Sequence, residues 1–155
     1  MTGFRTSRAN LASVGHLGRL ATYTAADMSS DFDVADSPVT IFTVTGDVLV
    51  QVFGIVQAVA LTSASSTGTL AIGTPEVVAG IIAASTVNGT QFAATDVWVD
   101  ATPDVDLEPI TDSWFGVGGG ANIIVTIATN NITAGAMEIY CLWRPLSSNA
   151  NVVAA

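Results

Sequence analysis

The residue types that most often carry catalysis are scarce in this chain of 155 residues, which contains one histidine, one cysteine and no lysine. His16, the only candidate for the general base of a nucleophile–histidine pair, lies between Gly15 and Leu17, where no strand or helix pattern would orient its ring. The single Cys141 excludes an intramolecular disulfide and a cysteine-rich metal site. The sequence therefore predicts a protein that is not an enzyme and that uses no cofactor.

A glycine-rich stretch offers a second kind of chemistry. Residues 115–121 contain the Gly-x-Gly-x-x-Ala spacing of a dinucleotide-binding turn. That spacing binds a pyrophosphate only where a helix N-terminus follows it. Here Asn122 to Thr129 reads as a strand, so the glycines are better explained by a turn that needs positive φ angles.

Acidic residues could bind a hard cation at two places, formed by Asp31, Asp33 and Asp36 and by Asp104, Asp106 and Glu108. Calcium needs about 6–8 oxygen ligands, and an EF-hand loop ends in a glutamate. The corresponding positions here are Phe42 and Phe115, so neither group completes that motif. Solvated acidic loops are the favoured interpretation, with a calcium site as the alternative.

The three tryptophans, Trp98, Trp114 and Trp143, lie in three separate predicted strands. Tryptophan carries a large apolar area and is enriched at interfaces, so core or subunit-interface packing is expected. Arg144 follows Trp143 directly and could pair with an acid across a subunit boundary or stack on an aromatic ring. These four residues are the interface candidates, and a sugar-stacking platform that includes Tyr140 is the alternative.

Charge divides the chain into a basic beginning and an acidic body. Residues 1–20 carry Arg5, Arg8 and Arg19 and no acid, whereas residues 21–155 carry all 13 acids and only one arginine, for a net charge of −9 overall. So few cations argue against a nucleic-acid ligand, because phosphates are neutralised by lysine and arginine. We expect either a frayed terminus or an arm whose three arginines reach an acidic surface of a neighbouring subunit.

The apolar composition raises the question of a membrane, since 50% of the residues are hydrophobic and 11% are charged. The richest stretch, Val48 to Leu61, is shorter than the roughly 20 residues of a membrane span and is interrupted by Gln51 and Gln57. No secretory core follows the first arginines. We expect a soluble protein that is not exported by a signal of its own and that hides apolar surface in contacts between subunits.

Strand-like runs rich in valine, isoleucine and threonine follow one another from residue 37 at intervals of roughly 8–14 residues, with turn residues between them. This pattern predicts an all-β protein, an antiparallel β-sandwich or jelly roll of about seven or eight strands. The predicted organisation is an extended N-terminal arm over residues 1–36, a sandwich domain over 37–148 and a C-terminal tail over 149–155.

Three details of that pattern are specific enough to test. The stretch from Val48 to Leu61 reads as one long strand bent by a bulge at Gly54. Asn88-Gly89 is the turn signal of a β-hairpin. Residues 77–86 fit a helix nearly as well as a strand, so their structure is left open.

Two stretches resemble a known class of proteins. Residues 36–46 read Asp-Ser-Pro-Val-Thr-Ile-Phe-Thr-Val-Thr-Gly, and residues 139–146 read Ile-Tyr-Cys-Leu-Trp-Arg-Pro-Leu ahead of the final Asn-Val-Val-Ala-Ala. Both are similar to small structural proteins of tailed-bacteriophage virions. The resemblance implies a non-enzymatic component made in the host cytoplasm and present in many copies, either a head decoration (cement) protein or a tail component.

The leading hypothesis is a capsid decoration protein that binds the major capsid protein or another virion protein at the capsid surface and stabilises the shell. By analogy with other cement proteins, its copies would form a trimer. The alternatives are a tail tube or tail-tip protein and a carbohydrate-binding module for host adhesion. No nucleic-acid or membrane partner is predicted.

Overall fold

The computed structural model describes residues 17–104 and 113–155, and two five-stranded antiparallel sheets dominate them. Sheet A contains β1 (Leu17–Tyr23), β3 (Val48–Val56), β7 (Val97–Trp98), β8 (Phe115–Val117) and β11 (Met137–Pro145). Sheet B contains β2 (Val39–Thr45), β5 (Gly68–Gly73), β6 (Ile82–Val87), β9 (Ile123–Ala128) and β12 (Asn151–Ala154). A separate two-stranded sheet joins β4 (Thr62–Ser63) to β10 (Ile132–Ala134), and the remaining elements are helix α1 (Ala25–Ser30) and a 3-10 turn (Ala64–Ser66).

The order of strands in sheet A is β1, β11, β3 and β7, with β8 also paired to β3; in sheet B it is β12, β2, β9, β5 and β6. Buried side chains of both sheets form one core cluster. Strand β3 alternates strictly, with its even-numbered residues buried in that core and its odd-numbered residues half-buried on the opposite face. In β2 an irregular register between Thr40 and Phe42 lets the successive residues Ile41 and Phe42 both enter the core.

The predicted fold class is confirmed, because the structure is an all-β antiparallel sandwich. Twelve strands occur among the described residues, more than the predicted seven or eight, since five of them are only two to four residues long and two lie outside the predicted sandwich domain. No helix in the described part of the chain is long and apolar enough to cross a membrane.

The long strand predicted from Val48 to Leu61 is wrong at its end and at its bend. Strand β3 stops at Val56, and its register with β11 continues through Gly54 without a bulge. A Cβ atom at Gly54 would lie 3.0 Å from Met137 Sδ and 3.2 Å from Trp98 Cε3. Gly54 therefore makes room for core side chains and does not bend the strand.

The turn at Asn88-Gly89 forms, but it does not close a hairpin. Gly89 has a φ of +73°, and the Asn88 side chain accepts hydrogen bonds from the backbone N–H groups of Thr90 and Gln91 at 3.0 and 2.8 Å. The strands on either side pair in different sheets, β6 with β5 and β7 with β3. The same turn chemistry thus passes the chain from one layer to the other.

The residues predicted as the second half of an N-terminal arm belong to the sandwich. Strand β1 pairs with β11 along its whole length, and the segment after it buries Met28 and Phe32 in the core. Helix α1 begins at a capping box in which Thr24 and Asp27 exchange hydrogen bonds. Burial of the apolar side chains in residues 17–36 thus decides their structure, although their acids suggested an arm. Only residues 1–16 of the predicted arm fall outside the described structure.

The predicted C-terminal tail is also part of the sandwich. Strand β12 pairs with β2 at the edge of sheet B and buries Val152 completely, while Val153 on its other face is 41% exposed. A strand of four residues gives little periodic signal by itself. Its place in the fold comes from the neighbour that it pairs with.

Candidate interaction surface

The outer face of sheet A, turned away from the core, is defined by the register of its strands. Residues directly opposite one another in paired strands point to the same side of a sheet. Four rows result, formed by Thr22, Glu138, Ile55 and Val97; by Leu20, Tyr140 and Phe53; by Gly18, Leu142 and Gln51; and by Arg144, Leu49 and Gly116.

This face is apolar where the sandwich would ordinarily be polar. An antiparallel sheet with one solvated face usually alternates apolar and polar residues, but the outward positions of β3 are three large apolar side chains and one glutamine. Leu20 is 43% exposed, and Phe53, Ile55 and Leu142 are half-buried against their row neighbours. The rows contain one carboxylate, on Glu138, and one guanidinium, on Arg144. Most of the face is a surface that gains free energy by being covered.

An aromatic pair lies at its centre. The rings of Phe53 and Tyr140 stack with centroids 5.1 Å apart and an interplanar angle of 10°. The Tyr140 hydroxyl donates a hydrogen bond to Glu138 Oε2 at 2.7 Å. That bond to the carboxylate is the main reason why the pKa of Tyr140 is raised above its usual value. The tyrosine is thus held in one orientation and presents a fixed apolar ring.

Arg144 and Trp114 extend the fourth row. The Arg144 guanidinium lies over the Trp114 ring, 5.2 Å from its centroid. Trp114 stands two residues before Gly116, which is consistent with the same side of β8. Of the two interactions predicted for Arg144, stacking on an aromatic ring is present within the chain.

The other two tryptophans occupy different surroundings from those expected of interface residues. Trp98 is completely buried, and its indole N–H donates to Ser85 Oγ at 2.8 Å. Trp143 is 3% exposed and lies on the core side of β11. Both are core residues of this chain, so they offer no surface to a partner or to a sugar. Their size made them candidates for an interface, but the alternation of side chains along β7 and β11 places both in the core.

Arg19 also differs from its predicted role in a partner-binding arm. Its Nε donates to the Val152 carbonyl oxygen at 2.6 Å, and its Nη1 donates to the Gly18 carbonyl oxygen at 3.1 Å. The side chain thus joins β1 at the edge of sheet A to β12 at the edge of sheet B. The other two arginines of the predicted arm, Arg5 and Arg8, lie outside the described residues, as does His16.

The outer face of sheet B differs in composition from that of sheet A. Its cross-strand sets pair threonine with small residues, including Thr69 with Ala128 and Ala71 with Thr126. On β2 the outward Thr43 and Thr45 are exposed. Short side chains with a hydroxyl or a methyl group leave a flatter and more polar surface than the leucines, isoleucine and aromatic rings of sheet A.

No group of three or more histidine, cysteine or acidic side chains that could hold a metal ion forms among residues 17–104 and 113–155. Burial raises the pKa of the Cys141 thiol to about 12, so the thiol is protonated and enclosed. Asp33 Oδ1 accepts the backbone N–H groups of Ala35 and Asp36, which makes it part of a turn. Asp106 and Glu108 lie outside the described residues.

The residues that build the apolar face were not identified as a site from the sequence. The available signal was the nearly unbroken apolar run of β3, which is typical of a strand covered on both sides. The same run also raises the question of a membrane span, for which it is too short. Which residues of β1 and β11 share its outer face depends on the register between strands, and the sequence does not give that register.

Comparison with known proteins yields little. No family model matches the chain, and no curated protein matches it. A solved structure described as the cyanophage Pam1 capsid asymmetric unit aligns over 84% of this chain and 86% of its own, with 13% sequence identity and a TM-score of 0.39. At these values the alignment assigns neither a family nor a function.

Proposed function

We propose that this protein is a non-enzymatic structural component of a phage virion, and specifically a capsid decoration protein that binds and stabilises the head shell. The observation that carries the proposal is the apolar outer face of sheet A. The motif resemblance described above gives the proposal its biological setting. Binding through a large complementary surface suits a decoration protein, because such a protein functions by staying bound to the shell and not by turning over a substrate.

The physical basis is the exposed area of large side chains. Burying a leucine, isoleucine or phenylalanine that starts exposed stabilises a complex by about 1.5–3 kcal/mol. Five such residues lie in the four rows; Leu20 is exposed, and the other four are half-buried, so each of those contributes less. Few charges have to be desolvated there, since the rows carry a single acid and a single base. When copies are linked in an oligomer, a second contact with the shell is effectively intramolecular, so modest affinity per contact is enough for stable attachment.

A charge placed on the outer face of sheet A tests the proposal. Leu20→Asp puts a carboxylate where a partner would cover an apolar side chain, and we expect binding to purified head shells to weaken by about 2 kcal/mol, roughly thirty-fold. Occupancy is measured by cosedimentation with shells from which the protein has been removed.

The matched control is Val153→Asp. Val153 is 41% exposed and Leu20 is 43% exposed, and both lie on edge strands, but Val153 belongs to sheet B. The control should retain normal occupancy. Equal occupancy for Leu20→Asp and the unchanged chain would contradict the use of this face, and no binding of the unchanged chain to any shell would contradict decoration.

The tail alternative uses the same adhesive property at another place on the particle. Labelled copies seen along the tail or at its tip would replace the decoration hypothesis by this one. The trimer implied by the resemblance is the alternative to the two-fold pair inferred below, and the native mass of the assembly distinguishes them.

The carbohydrate-binding alternative is favoured by one observation. The stacked Phe53 and Tyr140 rings, with Trp114 near Arg144, place partly exposed aromatic surface on one face. A sugar-binding module should lose glycan binding when Tyr140 is changed to Ala while its thermal unfolding stays cooperative. Failure of the unchanged protein to bind any member of a broad glycan panel would remove this alternative.

A further inference from the structure

We infer that the outer face of sheet A is covered by the same face of a second copy of this chain, related to it by a two-fold axis. The axis lies between the two facing copies of sheet A, runs across the strands and passes over Cys141 of β11. This inference deepens the proposed function and rests on it: it names the partner that covers the outer face of sheet A in the free protein, and the pair separates when the head shell takes that face. The two copies then pack face to face with β11 antiparallel to its counterpart.

Charge complementarity is the first support. Glu138 and Arg144 lie six residues apart on β11, about 20 Å at the rise of a strand, and they are equidistant from Cys141. The proposed axis brings Glu138 of each copy opposite Arg144 of the other, so both charged groups of the rows meet an opposite charge. A guanidinium has five donors and a carboxylate has several acceptor sites, so these pairs are compatible with the contacts to Trp114 and Tyr140.

Shape complementarity is the second support. The same axis places Leu20 opposite Gly18 of the other copy and Val97 opposite Gly116 of the other copy, because it exchanges rows at equal distances from Cys141. A Cβ atom built on either glycine would have no neighbour within 4 Å, so the space above both is open. Each projecting side chain therefore meets a gap, which is how self-complementary two-fold interfaces pack.

The arrangement of charges also selects this axis over the other simple symmetries. Rotation about an axis parallel to the strands, whether two-fold or three-fold, leaves each residue at the same height along the strands. Such an axis would therefore set Glu138 of one copy beside Glu138 of the next. The remainder of the chain is strongly acidic, so copies that approach through other surfaces bring like charges together. The outer face of sheet A lets two such copies meet with balanced charge.

The area of the face is that of a weak, reversible pair. Four strands at about 4.8 Å spacing and four rows over about 20 Å give a footprint of roughly 400 Å² on each copy. Projecting side chains add accessible surface to this flat footprint. The total area buried by both copies is then on the order of 1,000 Å², at the lower limit of specific interfaces. We therefore expect a dissociation constant in the micromolar range, roughly 10–100 μM.

Charge exchange tests the geometry. Glu138→Arg alone sets the introduced guanidinium against Arg144 of the other copy, and Arg144→Glu alone sets two carboxylates against each other. Each single variant should therefore dimerise at least about tenfold more weakly. An equimolar mixture of the two should form a heterodimer, because one copy then carries both bases and the other both acids. Sedimentation equilibrium of the full chain measures each state, and recovery to within about threefold of the unchanged affinity is expected.

Glu76→Arg is the control, because it makes the same change of charge in the exposed turn between β5 and β6. It should leave dimerisation unchanged. Recovery in the mixture itself shows that both single variants fold, and circular dichroism checks each one alone. Absence of recovery with both variants folded, a trimer as the native mass, or a monomer at several hundred micromolar would each overturn the two-fold pair. Binding of such a trimer or monomer to head shells would leave the decoration function standing.

Discussion

Gly54 shows how one missing side chain shapes the core. It lies on the core side of β3, opposite Trp98 in β7, and the space that a side chain would fill is taken by Met137 and the Trp98 ring. Gly116 is the contrasting glycine of the same sheet, with nothing within 4 Å of a Cβ atom. Comparing the two positions distinguishes a glycine that close packing requires from a glycine that only weakens its strand.

We predict that Gly54→Val lowers the free energy of unfolding by about 2 kcal/mol, because a branched side chain there must displace core atoms. The measurement is urea unfolding followed by tryptophan fluorescence at low protein concentration. Gly116→Val should change stability by less than about 0.5 kcal/mol, since its side chain enters open space on a strand. A loss for Gly54→Val no greater than that for Gly116→Val would contradict the assigned role of Gly54.

At the scale of elements, the sequence predicted the class of the fold but not all its members. Strands with a clear alternation or apolar run, such as β3 and β9, begin within one residue of their predicted positions. The elements that were missed or misassigned include β1 and β12 at the sheet edges, the short strands β4 and β10, and the end of β3. Their conformations depend on pairing with strands far along the chain, which local patterns do not encode.

The candidate interaction surface was missed for the same physical reason. The sequence identifies Leu49, Phe53 and Leu142 as apolar strand residues, but it does not say which residues stand beside them across the sheet. Tryptophan size pointed instead to Trp98 and Trp143, which the alternation of β7 and β11 turns into the core. Only Trp114 and Arg144 were placed by residue type near the face that the strands build.

Strand β12 supplies the prediction that belongs to this scale. If it is an integral strand, Val152→Asp should lower the free energy of unfolding by about 3 kcal/mol or more, because it buries a carboxylate without a partner. Val153→Asp makes the same change one residue later on the exposed side of β12, and should alter stability by less than about 0.5 kcal/mol. Thermal unfolding compares them. A loss for Val152→Asp as small as that for Val153→Asp would mean that β12 is a loose tail in solution.

At the scale of the whole molecule, the two outer faces and the charge distribution differ in what they offer to a binding partner. The outer face of sheet A supplies apolar area, and the outer face of sheet B is mainly threonine and alanine. The described domain has only Arg19 and Arg144 as cations, and both already contact groups of the chain itself. Any long-range attraction to an acidic partner must therefore come mainly from Arg5 and Arg8.

Removing residues 2–16 tests that conclusion and leaves β1 intact, since the strand begins at Leu17. We expect an unchanged midpoint of thermal unfolding but weaker occupancy of head shells at low salt. A variant of full length with Arg5→Gln and Arg8→Gln should lose the same amount, because the attraction resides in charge. Both differences should shrink above about 0.3 M salt, where screening acts within roughly 6 Å. Equal occupancy of the unchanged and shortened chains at low salt would mean that the outer face of sheet A binds the shell without a basic segment.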